Sequence, residues 1–301
     1  MTELFENTIW PAFIQKFRSV RSVDNYRYIL NDFYRFTGRS FELCQTSDAK
    51  EYDKYLEQLE YATDSRKIKH STHVEKISTL RSIGDFIESC NFIPAYENPF
   101  NQVIVKAVEP ELASNDIPTV EDLERLFNAA TDSPMDFLLF LLAGKCALSI
   151  SQICALTMND LAENLDGELS GLILRDGRYS HTILLPDDVL AALKNYLDVK
   201  SPSDSLFVNK RHTPLKKRDL QRIIKRYTEK LSDELYMPGL TFQDLRHAAI
   251  KYMKIGGATD EEIAQYTGIS TPGMFSRYNK ISEEDMDYAV SYSVLSVNTN
   301  R

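Results

Sequence analysis

The stretch TFQDLRHAAIKYM, residues 241–253, sets an Arg-His pair inside a mixed-polarity run. Leu245, Ala248, Ala249 and Tyr252 recur at helical spacing, which predicts Arg246 in the first turn of an amphipathic helix. A guanidinium there suits a planar anion, because its fork of N–H donors matches the oxygens of a phosphate or a carboxylate. A solvated arginine near a helix end accounts for the same residues, so Arg246 gains meaning only where other features converge on it.

The segment 209–230, NKRHTPLKKRDLQRIIKRYTEK, offers chemistry of the same kind. It holds nine Lys/Arg (Lys210, Arg211, Lys216, Lys217, Arg218, Arg222, Lys225, Arg226, Lys230) against Asp219 and Glu229, a local charge of +7. The whole chain carries −9, so the remainder carries −16. Such a chain does not coat nucleic acid indiscriminately. Leu220, Ile223, Ile224 and Tyr227 give the segment an apolar helical stripe with the basic residues around it. A solvated helix face is one reading. Concentration of the charge in an otherwise acidic chain favours the other, a phosphate-backbone footprint.

The elements that must position these groups are mostly helices. A length of 301 residues predicts two domains, and 43% hydrophobic with 26% charged residues describes an ordinary folded chain. Residues 1–105 read as four or five helices. Tyr26, Ile29, Leu30, Phe33 and Phe36 form one core-facing stripe, closed by Gly38. Tyr52, Tyr55, Leu56 and Leu59 form a second, and Val74, Ile77, Leu80, Ile83, Phe86 and Ile87 a third. An aperiodic, proline-containing linker follows at 106–116. In 117–301, Thr119 caps VEDLERLFNAA, a buried helix is expected at 134–146, and SISQICALTMNDL reads as another helix. GELSGLILRDGRYSHTILLP reads as a hairpin turning at Asp176-Gly177, and helices dominate beyond Pro186.

The longest apolar run, FLLFLLAGKCALSI at 137–150, is interrupted by Lys145 and is expected as a buried helix, not a membrane span. The N-terminus lacks a basic-then-apolar leader. Cys44, Cys90, Cys146 and Cys154 show no C-x-x-C spacing and no nearby histidine pair. They are expected as reduced thiols of a cytoplasmic protein, with no metal and no cofactor.

Thirty-two residues after Arg246 comes Tyr278, in STPGMFSRYNK. Over nearly its whole length the chain resembles the tyrosine recombinase (phage integrase, Xer-type) family. The N-terminal helices with Asn98-Pro99-Phe100 look like that family's core-binding domain. ALSISQICALTMNDL looks like its first catalytic box, DLRHAAI like its H-x-x-R box, and YTGIS…SRYNK like its LGH…Y box. The order and spacing of the boxes carry the resemblance more than any one of them.

The resemblance implies a two-domain, mostly α architecture with a small antiparallel β-sheet: a helical core-binding domain at 1–105 and a catalytic-type domain at 117–301. It implies a tyrosine that attacks a DNA phosphate, forming a 3′-phosphotyrosyl link and freeing a 5′-hydroxyl. Preorganised donors must then stabilise the charge gained at the transition state, with acid–base groups on the attacking and leaving oxygens. Tyr278 matches the nucleophile and Arg246 the second arginine. Arg175 falls at the lysine position and Gln243 at that of the H-x-x-R histidine. Ser149 stands where the first arginine belongs, Gln152 where glutamate is usual, and Ile269 where the third box has histidine. An arginine holds phosphate but is a poor general acid, and isoleucine donates nothing. His247 matches a structural position. Lys145, expected one helical turn before Ser149 on the same face, is a candidate substitute donor, although a snorkelling lysine fits equally.

The expected partners are double-stranded DNA and further copies of the chain, or a related recombinase, assembled on it. In the family the tail beyond the tyrosine docks on a neighbouring subunit, and Met286, Ala289, Val290 and Val294 supply an apolar face for this. Two readings therefore stand together: a site-specific DNA recombination or integration protein cutting through Tyr278, and a recombinase-derived DNA-binding protein of architectural or regulatory role. A helical module whose basic helix binds an acidic partner is a third, outside nucleic-acid chemistry.

Overall fold

The computed structural model describes residues 1–17, 20–105, 117–176 and 179–268, without the side chains of Arg21, Asp176 and Tyr179. The expected linker at 106–116, Ile269, Tyr278 and the tail lie outside the described residues. The chain divides into two compact units, Met1–Glu109 and Pro110–Arg301.

In the first unit a π-helical turn, Phe5–Ile9, runs into α1 (Trp10–Ile14). It is followed by α2 (Val20–Thr37), α3 (Thr46–Glu60) and α4 (His70–Ser89). Gly38, at φ 67°, follows α2 in the left-handed conformation that ends a helix at low cost. The stripes read from the sequence meet in an aromatic core. Phe33 packs edge-on against Tyr52 at 5.0 Å and Phe100 at 5.3 Å between ring centroids. Asn98 is buried and closes this core. Its amide donates to Arg81 O at 2.9 Å and Asp85 Oδ1 at 2.7 Å, and its Oδ1 accepts from the Phe100 N–H at 3.0 Å. Gly84 makes room for it, since a Cβ there would stand 2.2 Å from Asn98 Oδ1.

In the second unit α5 (Val120–Ala129) starts at the Thr119 capping box. Helix α6 (Pro134–Gly144) is buried on every side from Leu138 to Gly144. After α7 (Ile150–Ala155) comes a three-stranded antiparallel sheet in the order β1 (Leu161–Glu163), β2 (Leu169–Asp176), β3 (Tyr179–Leu184). Helices α8 (Asp187–Val199), α9 (Lys217–Lys230), α10 (Phe242–Ile255) and α11 (Asp260–Thr267) complete the described part. The fold is mostly helical with one small antiparallel sheet. Among the described residues no helix is long and apolar enough to cross a membrane.

Local details depart from the sequence reading. Helix α6 ends at Gly144, and Ala147 takes a left-handed φ of 54°, so Lys145 and Ser149 do not share a helix face. SISQICALTMNDL is not one helix: the chain extends at Leu156 (ψ 134°), and Thr157 caps a separate 3-10 turn, Met158–Asp160. Strand β1 has too few residues for a period-2 pattern to reveal it. Asp176 pairs with Tyr179 and so belongs to the strand rather than to a turn, while Gly177 lies outside the described residues.

Candidate functional site

A cleft of about 270 Å³ in the second unit is lined by Ser149, Ser151 and Gln152 at the start of α7, Arg175 of β2, Arg246 of α10, and Thr267 and Gly268 closing α11. Four segments of the chain thus bring together positions that the sequence could only align by motif.

Ser149 is the N-cap of α7, not a bare polar residue. Its Oγ accepts from the Gln152 N–H at 3.2 Å. Gln152 Oε1 accepts from the Ser149 N–H at 2.8 Å and from its hydroxyl at 2.9 Å. This reciprocal pair satisfies donors that a helix start leaves open. Arg246, half-buried as the fifth residue of α10 and so just past the first turn expected for it, extends Nη1 to within 3.5 Å of the same Gln152 oxygen. The cap therefore positions an acceptor for the arginine.

Arg175 is held by a second box. Its Nε donates to Asp160 Oδ1 at 2.6 Å. Asp160 Oδ2 also accepts from the Thr157 N–H at 2.8 Å and hydroxyl at 2.7 Å. Burial opposes ionisation of Asp160, but the bonds from Thr157 and Arg175 outweigh it and hold the carboxyl below its ordinary range. Arg175 keeps a 59% exposed side chain at the cleft.

The α11 wall is tied to the sheet. Tyr266 donates its hydroxyl to Leu184 O at 3.0 Å, and its carbonyl lies 3.2 Å from His181 Nε2. Burial, then the neighbouring Cys146, pushes the Tyr266 phenol well above its ordinary value. Gly268, at φ 71°, packs so closely on the His181 ring that a Cβ would come within 2.8 Å of Cε1. His181 and Ser151 were not singled out in the sequence. A histidine opposite Leu174 in a hairpin carries no signal until α11 is laid against it.

Other predicted residues go elsewhere. Gln243 is exposed, hydrogen-bonds His247 Nε2 at 2.9 Å, and lines an adjoining apolar groove between α9 and α10 rather than the cleft. Lys145 pairs with Asp188 at the start of α8 and is not among the cleft-lining residues. Lys210, Arg211, Lys216, Lys217, Arg218, Arg222, Lys225 and Arg226 are all exposed. Of these, Arg226 bonds the buried Asp136 at 2.6 Å and Lys225 pairs with Glu229 at 3.4 Å. Arg226 therefore joins α9 to α6 as well as presenting charge.

Chemically the cleft offers two guanidiniums, hydroxyls and an amide, a donor set suited to an oxyanion. Among its described lining residues there is no carboxyl, imidazole or amine. It can bind and stabilise negative charge, while proton transfer must come from groups outside that set.

The sequence pattern of the phage integrase family matches residues 118–285. The chain is 24% identical over 278 residues to the tyrosine recombinase XerC of Natranaerobius thermophilus, covering 86% of this chain and 88% of that protein. To the XerC of Bacillus subtilis it is 25% identical over 287 residues, covering 90% and 89%. Its fold is similar to the Tn1549 transposon integrase solved in complex with transposon right end DNA, at TM-score 0.67 and 15% identity over 95% of this chain and 97% of that one. A lambda integrase dimer bound to a COC′ core site gives TM-score 0.63 at 17% identity, covering 91% and 77%.

Proposed function

The chain belongs to the phage integrase family, and from that premise we propose that it binds duplex DNA and acts in site-specific DNA recombination, cutting a strand through Tyr278. The observation that carries this reading is the cleft in which Arg246 and Arg175, 71 residues apart in sequence, meet at the end of α11. A phosphodiester already anionic gains charge as it is attacked, and two fixed guanidiniums lower that cost. Ser151 adds a hydroxyl donor, while that of Ser149 is donated to Gln152. Arg246 and Arg175 hold the phosphate, Gln152 orients Arg246, and Asp160 orients Arg175.

In this reading the Tyr278 phenol gives up its proton as its oxygen bonds to phosphorus, the bond to the 5′-oxygen breaks, and that oxygen takes up a proton. Attack by the freed 5′-hydroxyl of a second strand reverses the step and rejoins DNA. Residues 1–105 serve as a DNA-binding domain and 117–301 as the catalytic-type domain. The exposed basic residues of 210–226 contact the phosphate backbone. Further copies, or a related recombinase, assemble on the site, and the cytoplasm is the compartment in which this happens.

The test is covalent trapping on duplex DNA nicked near the cleavage point, so that cut strands cannot rejoin. The expected product is a DNA-linked protein that disappears in Tyr278→Phe while duplex binding is kept. DNA binding without any covalent product, across a selection of duplex sites, would favour an architectural or regulatory DNA-binding role.

A further inference from the structure

The first unit contains a histidine cluster that the cleft chemistry does not use. Glu60 ends α3 and His70 begins α4, with His73 one helical turn further on. Glu60 Oε1 lies 3.0 Å from His70 Nδ1 and 2.5 Å from His73 Nδ1, and one donor atom from each residue falls within 4.8 Å of the others. On its far side, His73 Nε2 lies 2.7 Å from Asp53 Oδ1. The side chains of His73 and Glu60 are 5% and 15% exposed, that of His70 37%.

Both ring nitrogens of His73 thus face carboxylate oxygens, which only accept. Each nitrogen must carry a proton or a metal ion. A proton on Nε2 and a metal on Nδ1 leaves a neutral imidazole, a carboxylate on the same ion, and Asp53 accepting from the ring's other N–H. That is the carboxylate–histidine–metal arrangement that fixes ring orientation and raises ligand basicity. Two imidazoles and one carboxylate suit a borderline divalent cation of the zinc type, with the fourth tetrahedral position left to water. The hard-cation alternatives prefer all-oxygen sites.

We propose that Glu60, His70 and His73 form a zinc-type divalent-metal site, oriented by Asp53, which clamps the end of α3 to the start of α4 across residues 61–69. The sequence reading set metals aside because the cysteines lack companions. The histidines meet a carboxylate only once α3 and α4 pack together. The inference is independent of the recombination reading, since it needs no DNA and no Tyr278.

The test uses the full chain, stripped of metal with a chelator and titrated with zinc against a chromophoric chelator, then with cobalt(II). One zinc per chain is expected, and cobalt should give the visible bands of a four-coordinate ion without thiolate charge transfer. Asp53→Asn should weaken zinc binding by about 10–100-fold, and His70→Gln and Glu60→Gln by more. His70 is exposed enough for its variant to fold, and the cobalt spectrum of the unaltered chain decides the matter if it does not. Absence of stoichiometric binding, binding unchanged in His70→Gln, or a cobalt–thiolate band would each overturn the proposal.

Discussion

Arg246 Nη1 lies 3.5 Å from Gln152 Oε1, the atom that closes the capping box of α7 by accepting from Ser149. Ser149, which the resemblance sets at the place of an arginine, is a helix cap whose partner Gln152 faces Arg246. A structural contact and a site contact share one oxygen.

That sharing sets two effects against each other in a single substitution. Ser149→Arg removes a side-chain cap and should cost about 1 kcal/mol in urea unfolding, as should Ser149→Ala. Combined with Arg175→Lys, Gln243→His and Ile269→His, it should nevertheless speed covalent trapping on nicked DNA. One recovered donor is worth about 10²–10³ in rate, and the four effects will not multiply. A faster single Ser149→Ala would show that the cap, not the missing donor, limits the reaction.

The exposed basic block makes a prediction about salt. Neutralising Lys216, Lys217 and Arg218 should weaken duplex binding whatever the sequence, flattening the log–log salt dependence by about 1 per lost contact. Arg226→Gln should in addition lower stability, because it takes the charged partner from the buried carboxylate of Asp136, which is 4% exposed and keeps the Tyr227 hydroxyl at 3.0 Å. Filter-binding or anisotropy titrations over a salt series read the first effect and thermal melting the second. An unchanged slope would exclude this segment from the interface.

Asp160 gives a pH dependence with a definite sign. Its carboxyl is held below the ordinary range when folded, so it binds a proton more readily unfolded. The stability it contributes is complete above the unfolded value of about 3.9 and is lost as pH falls through the lower folded value. Asp160→Asn should therefore cost about 1.5–3 kcal/mol at neutral pH, with the gap from the unaltered chain narrowing in acid. A gap independent of pH would mean that shape, not charge, makes the residue matter.

Gly84 tests close packing against helix propensity. Alanine in mid-helix is ordinarily better than glycine by about 0.5–1 kcal/mol. Here the new methyl would overlap the Asn98 amide, whose bonds to Arg81 and Asp85 prevent it from turning away. Gly84→Ala should destabilise the chain by about 1–3 kcal/mol in denaturant unfolding. A stabilised variant would show that Asn98 can move.

Thiol labelling checks the cores of both units. Burial pushes the thiols of Cys44 and Cys146 up to about 12, and Cys90 is exposed. At pH 8 iodoacetamide should modify Cys90 within minutes and reach Cys44 and Cys146 only on unfolding. Mass spectrometry of peptides from the native protein reads this directly, and early modification of Cys146 would contradict the packing of α6.

What the sequence by itself determined is what depends on neighbours along the chain. The stripes of α2, α3 and α4 follow from 3.6-residue periodicity, the cap at Thr119 from local hydrogen bonding, and the basic block from composition. The family resemblance could be read because its boxes are contiguous stretches. The tertiary structure alone decided which polar groups meet. Arg246 finds Gln152 from 94 residues away. Likewise His73 is buried between Glu60 and Asp53 on a face that the apolar count treats as polar. Apolar burial is non-directional and repeats with the helix, so pattern reveals it. A hydrogen bond or ion pair needs one particular partner at about 3 Å, and that partner is fixed only when separate elements pack.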